Sequence, residues 1–142
     1  MNTKKLKREH LQELARLRLA EARLLLDNAR NSGAYYLTGL AVECALKACI
    51  AKTTEKHEFP ELERVKDSWN HDLAKLVRTA GLWEELMKKQ SGDKQFEANW
   101  LTVKDWRVDS RYEKRSGQEA SDIYTATTEQ DHGIMAWIER YW

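Results

Sequence analysis

Gly33-Ala34-Tyr35-Tyr36-Leu37-Thr38-Gly39-Leu40-Ala41-Val42-Glu43-Cys44-Ala45-Leu46-Lys47-Ala48-Cys49-Ile50 is apolar on almost every face once it is wound into a helix. We read a helix here from about Ala34 to Thr53. A helix with no polar face has to sit at the centre of a helical domain, because only neighbours on all sides can take its surface out of water. Its few polar residues are therefore the informative ones. Tyr36, Glu43 and Lys47 share one edge, and Glu43 followed by Lys47 is the favourable i,i+4 order. Two readings stay open for them: an ion pair at the rim of the core, or a polar patch facing a ligand or subunit groove.

The segments on either side supply the neighbours. From about Lys7 to Asn31, residues Leu11, Leu14, Ala15, Ala22, Leu25, Leu26 and Ala29 recur at helical spacing. Leu6, Leu17 and Leu24 widen this apolar arc beyond one packing neighbour, which calls for a further helix or a second subunit. Asn31-Ser32-Gly33 marks the stop and can also start the next helix. A connector from Thr54 to Asn70 contains the chain's single proline, Pro60. Asn70 is the expected N-cap of a helix from His71 to near Gly81, with Leu73, Leu76 and Val77 inward. A short helix from Trp83 to Lys89 and one capped by Asp93 from Lys94 to about Val103 follow. Lys104 to Gly117 reads as loop, and a final helix is expected from about Gln118 to Trp142. The expected fold is one all-α domain over residues 1–142.

Composition narrows the functional classes. A single proline and six glycines leave little room for a many-turned β architecture. No apolar run is expected to reach the ~20 residues of a membrane span. The basic Met1–Arg8 stretch is followed by no apolar core, so no secretory signal and a cytoplasmic setting are expected. The net charge of +1 speaks against a protein held to nucleic acid by bulk charge. The charge is uneven, however: residues 1–31 hold eight Lys/Arg against four Asp/Glu, and residues 101–142 six against eight. Cys44 and Cys49 point about 140° apart on a helix, so they read as separate, reduced core residues.

Familiar catalytic patterns are missing. His10, His57, His71 and His132 are scattered, and no metal-ligand spacing, phosphate-binding glycine loop or nucleophile elbow occurs. No cofactor is expected. His132 lies opposite the apolar stripe of its expected helix and reads as solvent-exposed; the six tryptophans read mainly as core.

Three segments together resemble the HEPN family of small helical domains associated with nucleotides and RNA. The helix at 33–48 is similar to the family's A-x-E-x-x-L-K core, here Ala41-Val42-Glu43-Cys44-Ala45-Leu46-Lys47. Asn70-His71-Asp72-Leu73-Ala74-Lys75-Leu76 is similar to its H-D-L-x-x-L helix start. Asp109-Ser110-Arg111-Tyr112, followed by an Ala120-containing helix, is similar to its R-Y motif and last helix. The three lie in family order across Leu11 to Trp142.

The resemblance implies an up-and-down bundle of four to five helices, commonly homodimeric. It implies a nucleotide- or RNA-associated module in a toxin–antitoxin or stress-response pair, in some members beside a small nucleotidyltransferase. In that role Arg111 contacts phosphate, Tyr112 stacks or donates, and His71, Glu43, Lys47 and Tyr36 line the same groove. The alternative for Arg111 and Tyr112 is a loop clamp in which the arginine pairs a buried glutamate such as Glu43. Ribonuclease members of the family carry an Arg and a His four to six residues apart. Here no His follows Arg107, Arg111 or Arg115 at that distance, and the pair Arg64 and His71 falls in the connector. A metal-independent ribonuclease using Arg111 and His71, and a helical assembly module with no small ligand, are the two rivals.

Overall fold

The computed structural model describes residues 6–55 and 66–142, and every regular element among them is helical, with no strand. Two long helices, α1 (Arg8–Asp27) and α2 (Asn31–Glu55), form a hairpin with the most extensive helix pairing in the molecule. Three short helices follow: α3 (Leu73–Thr79), α4 (Trp83–Gly92) and α5 (Lys94–Val103). A 3-10 turn covers Val108–Tyr112, then come α6 (Gly117–Thr128) and α7 (Ile134–Ile138). Pro60 and Arg64 lie outside the described residues.

The all-apolar helix is central, as its residues demand. Ala41, Val42, Ala45, Leu46 and Ala48 are fully buried, and α2 touches α1, α3, α6, α7 and the 3-10 turn. By length and composition Asn31–Thr54 would suffice to cross a membrane, with mean hydropathy 1.3. This corrects the expectation that no such run exists. Leu, Val, Ile, Cys and Ala raise the hydropathy, and the small Ala, Gly and Cys side chains let neighbouring helices approach. Within that window 72% is buried inside the bundle.

Three boundaries differ from the sequence expectation. The break between α1 and α2 falls at Asn28–Arg30, not after Asn31, because Ala29 takes a positive φ of 57° and Asn31-Ser32-Gly33 opens α2. At α3 the capping side chain is Asp72, which accepts from Lys75 N at 3.1 Å; Asn70 accepts from the backbone N of Asp72 at 2.7 Å. The expected C-terminal helix is two helices. Gly133 sits where a Cβ would lie 2.1 Å from the Glu129 carbonyl oxygen, so a tight turn over 129–133 replaces continuous helix. Asp93, in contrast, caps α5 as expected, accepting from Phe96 N at 3.0 Å.

That turn is fastened by side chains. Asn99 donates to the carbonyl oxygen of His132 at 2.9 Å, and His132 Nδ1 lies 2.6 Å from Asp93 Oδ2. His132 is therefore half-buried and tied to a helix cap, not free in solvent. Its imidazole pKa is raised above the ordinary 6.5, chiefly by the Asp93 hydrogen bond. Asp93 is held well below the usual carboxylate range, with His132 the largest cause. Both cysteines are free and buried, and desolvation pushes the thiols up, Cys44 to about 11 and Cys49 to about 12. They are thiols, not thiolates, near neutrality.

A candidate ligand cleft beside Glu43 and His71

One contact shapes the cleft. An added Cβ at Gly39 would come within 2.2 Å of the Trp106 ring, so only glycine allows that ring to lie flat on α2. Trp106 is 1% exposed and stacks on Tyr36 at 6.1 Å between ring centroids. Anchored this way, the segment after α5 stands across from the start of α3. Between them opens a cavity of about 520 Å³, lined by Asn70–Asp72, Ala74 and Lys75 on one side and 104–109 on the other. That volume lies within the range of small-ligand sites.

Behind the lining residue His71 stands a buried carboxylate. Glu43 is 4% exposed, and both of its oxygens are engaged. Oε2 meets Lys47 Nζ at 3.4 Å, and Oε1 meets His71 Nδ1 at 2.8 Å. An ionised carboxylate can only accept, so Nδ1 carries the proton of this bond. Nε2 has no partner among the described residues, and the His71 side chain is 52% exposed. Glu43 thus fixes the tautomer and orientation of an imidazole that borders the cavity.

Charges of both signs surround it. Lys75, Lys104 and Arg107 line the cavity and form no ion pair among the described residues. Asp72, Asp105 and Asp109 share the lining. The cations suit an anionic group, while the carboxylates of Asp105 and Asp109 suit hydroxyl or amino donors on the same ligand. Among the described residues no group of three His, Cys, Asp or Glu stands close enough to hold a metal ion.

The residues singled out in the sequence divide. Glu43, Lys47 and His71 come together, and Tyr36 supports the cavity wall through Trp106. Arg111 does not join them in an ion pair. Its guanidinium lies 4.8 Å from the ring centroid of Tyr112, and both residues are exposed at the end of the 3-10 turn. The arginine–glutamate clamp is therefore not formed; His71 takes the place expected of Arg111 as the third partner. Arg107, Lys75 and Lys104 were not singled out as a group. Their nearest signal was position: Lys75 follows the H-D-L start by one turn, and Lys104 and Arg107 flank Trp106.

Comparison of the chain with known proteins finds no matching family model, no matching curated protein and no matching solved structure.

Proposed function

We propose that this chain is a HEPN-type binding module for a nucleotide or RNA, with the cavity beside His71 as its ligand site. The observation that carries the proposal is the grouping of three cations, Lys75, Lys104 and Arg107, with no ion pair among the described residues, in one cavity lining with an imidazole held by Glu43. Phosphate suits the cations, and ribose hydroxyls or base amino groups suit Asp105 and Asp109. The segment resemblances support the same reading and extend it to an up-and-down bundle of four to five helices. Arg111 and Tyr112, on the same segment just beyond the lining, add a phosphate contact and an aromatic surface. The reading places the module in the cytoplasm as a homodimer, in a toxin–antitoxin or stress-response pair, with a small nucleotidyltransferase as the matching partner class. Leu17 and Leu24, 50% and 65% exposed on α1, are the surface offered for self-association.

Titration of the purified chain with mononucleotides and with short RNA, beside light scattering, tests this reading. Saturable binding by a particle of twice the 16.7 kDa chain mass is expected. Absence of binding to all nucleotides and RNA removes the proposal.

A metal-independent ribonuclease is the second reading, favoured by the Glu43–His71 pair. A carboxylate-oriented imidazole is a general base or acid near neutral pH, and a nearby guanidinium such as Arg107 can stabilise a phosphorane-like charge. Turnover of RNA in chelator that is abolished by His71→Ala supports it. Intact RNA after prolonged incubation leaves the binding module.

A further inference from the structure

Five of the six tryptophans are buried or partly buried against the core; Trp69 is not. It is 67% exposed, the most exposed tryptophan of the chain. Its backbone is nevertheless held, since Trp69 N donates to the Lys66 carbonyl oxygen at 3.2 Å and Asn70 N to that of Asp67 at 3.1 Å. The ring is placed as well. Lys47 Nζ stands 6.0 Å from its centroid, and the same ammonium reaches Glu43, the carboxylate that holds His71. Trp69 is thus joined through Lys47 and Glu43 to the imidazole at the cavity edge, and its chain neighbours Asn70 and His71 form part of the lining. A large indole left in water on a held backbone costs solvation without adding to the core. Next in the chain to the lining of a cavity carrying Lys75, Lys104 and Arg107, it supplies the flat apolar surface that phosphate-binding residues lack.

We infer that Trp69 is the base-stacking platform of the cleft, so that the ligand is one with an unpaired nucleobase as well as a phosphate. The inference rests on the nucleotide reading above and specifies how the base is held. Lys47 contributes in two ways. Its charge faces the indole, and its pairing with Glu43 keeps the ring and the imidazole in one arrangement. Stacking tolerates any base, because each has a π-face, so the contact selects for a free base without choosing its identity. Duplex RNA, whose bases are already stacked on one another, has nothing to offer the indole.

Calorimetry with the full chain separates the base from the phosphate. The probes are adenosine 5′-monophosphate, ribose 5-phosphate and a single-stranded adenosine hexamer beside a duplex of equal length. The parent is expected to bind the monophosphate at least about 10-fold more tightly than ribose 5-phosphate, given the usual worth of base–aromatic stacking. Trp69→Ala is expected to erase that difference and leave ribose 5-phosphate binding unchanged, while Trp69→Phe keeps most of it. An exposed side chain can be removed without loss of fold, which a matching thermal melt of Trp69→Ala verifies. Equal affinity of the parent for the two phosphates, or a base preference that survives Trp69→Ala, overturns the stacking role but leaves phosphate binding standing. Failure of every probe to bind overturns both.

Discussion

His71 Nδ1 lies 2.8 Å from Glu43 Oε1, joining a residue of α2 to one 28 positions further on, just ahead of α3. The bond explains why a carboxylate is kept in an otherwise apolar helix. Glu43 is buried and committed to two partners, so removing its charge leaves, among the described residues, the largely buried Lys47 ammonium unpaired and His71 held by nothing but solvent. Glu43→Ala is expected to lower unfolding free energy by about 1–3 kcal/mol, the range for leaving buried polar groups unpaired. Glu43→Gln should cost less, since the amide oxygen still accepts one bond. Denaturant unfolding with fixed m-value reads the difference. An Ala variant as stable as the parent would show that the carboxylate holds nothing in place.

Gly39 is the second sensitive position. A Cβ there would sit 2.2 Å from the Trp106 ring, which is itself buried. Gly39→Ala gains helix propensity but must push the indole off α2, and overpacking of this kind costs about 1–3 kcal/mol. The wall of the cavity would move with the indole. Loss of ligand affinity alongside stability is therefore expected from a residue that lines no part of the cavity. A stabilised variant, as helix propensity alone dictates, would contradict the account.

The start of α6 depends on a capping box. Ser116 accepts from Glu119 N at 3.1 Å, and Glu119 accepts from Ser116 N at 3.2 Å. Ser116→Ala should cost about 1 kcal/mol. Arg115, paired with Glu119 and Glu113, also donates its backbone N–H to Ser32 Oγ at 2.8 Å, which fixes this cap to the start of α2. A thermal melt checks the loss, and an unchanged midpoint would show that these neighbours hold α6 without its cap.

The His132–Asp93 pair gives stability a pH dependence. His132 has a raised pKa in the fold, so its contribution is complete below 6.5 and is lost as pH rises through the folded value. Asp93 has a lowered pKa, so its contribution is present above the ordinary 3.8 and is lost only as pH falls through its depressed value. Lys89, 3.2 Å from Asp93, is a second partner of that carboxylate. Stability is expected to decline on the alkaline side of the histidine range, and His132→Asn should flatten that limb. A parent profile level from weakly acidic to weakly alkaline pH would refute the assignment.

Much of this was legible in the sequence because it depends on local pattern. The absence of a polar face from Ala34 onward placed α2 at the centre, and Asp93 announced its cap by type and position. The boundaries at Asn28–Arg30 and Glu129–Gly133 were not legible, since a positive φ at Ala29 and a clash avoided by Gly133 depend on tertiary surroundings. Glu43, Lys47 and His71 stood out as charges and a helix start in an apolar setting. That His71, not Arg111, would complete the group follows from where α3 docks on α2, which spacing along the chain cannot reveal. Trp69 escaped because tryptophan composition points to core, and only exposure singles it out.

Anisotropy of a fluorescently labelled single-stranded RNA tests the central claim most directly. The parent should bind saturably, with affinity that falls as salt rises because phosphate contacts release counterions. Lys75→Glu and Arg107→Glu, singly, should each weaken binding about 10-fold or more, the loss expected when a charged contact is reversed. Lys88→Glu, a reversal at an exposed site on α4, should leave it unchanged. RNA binding that ignores both cleft reversals, or no binding at low salt, would contradict the assignment of this cleft.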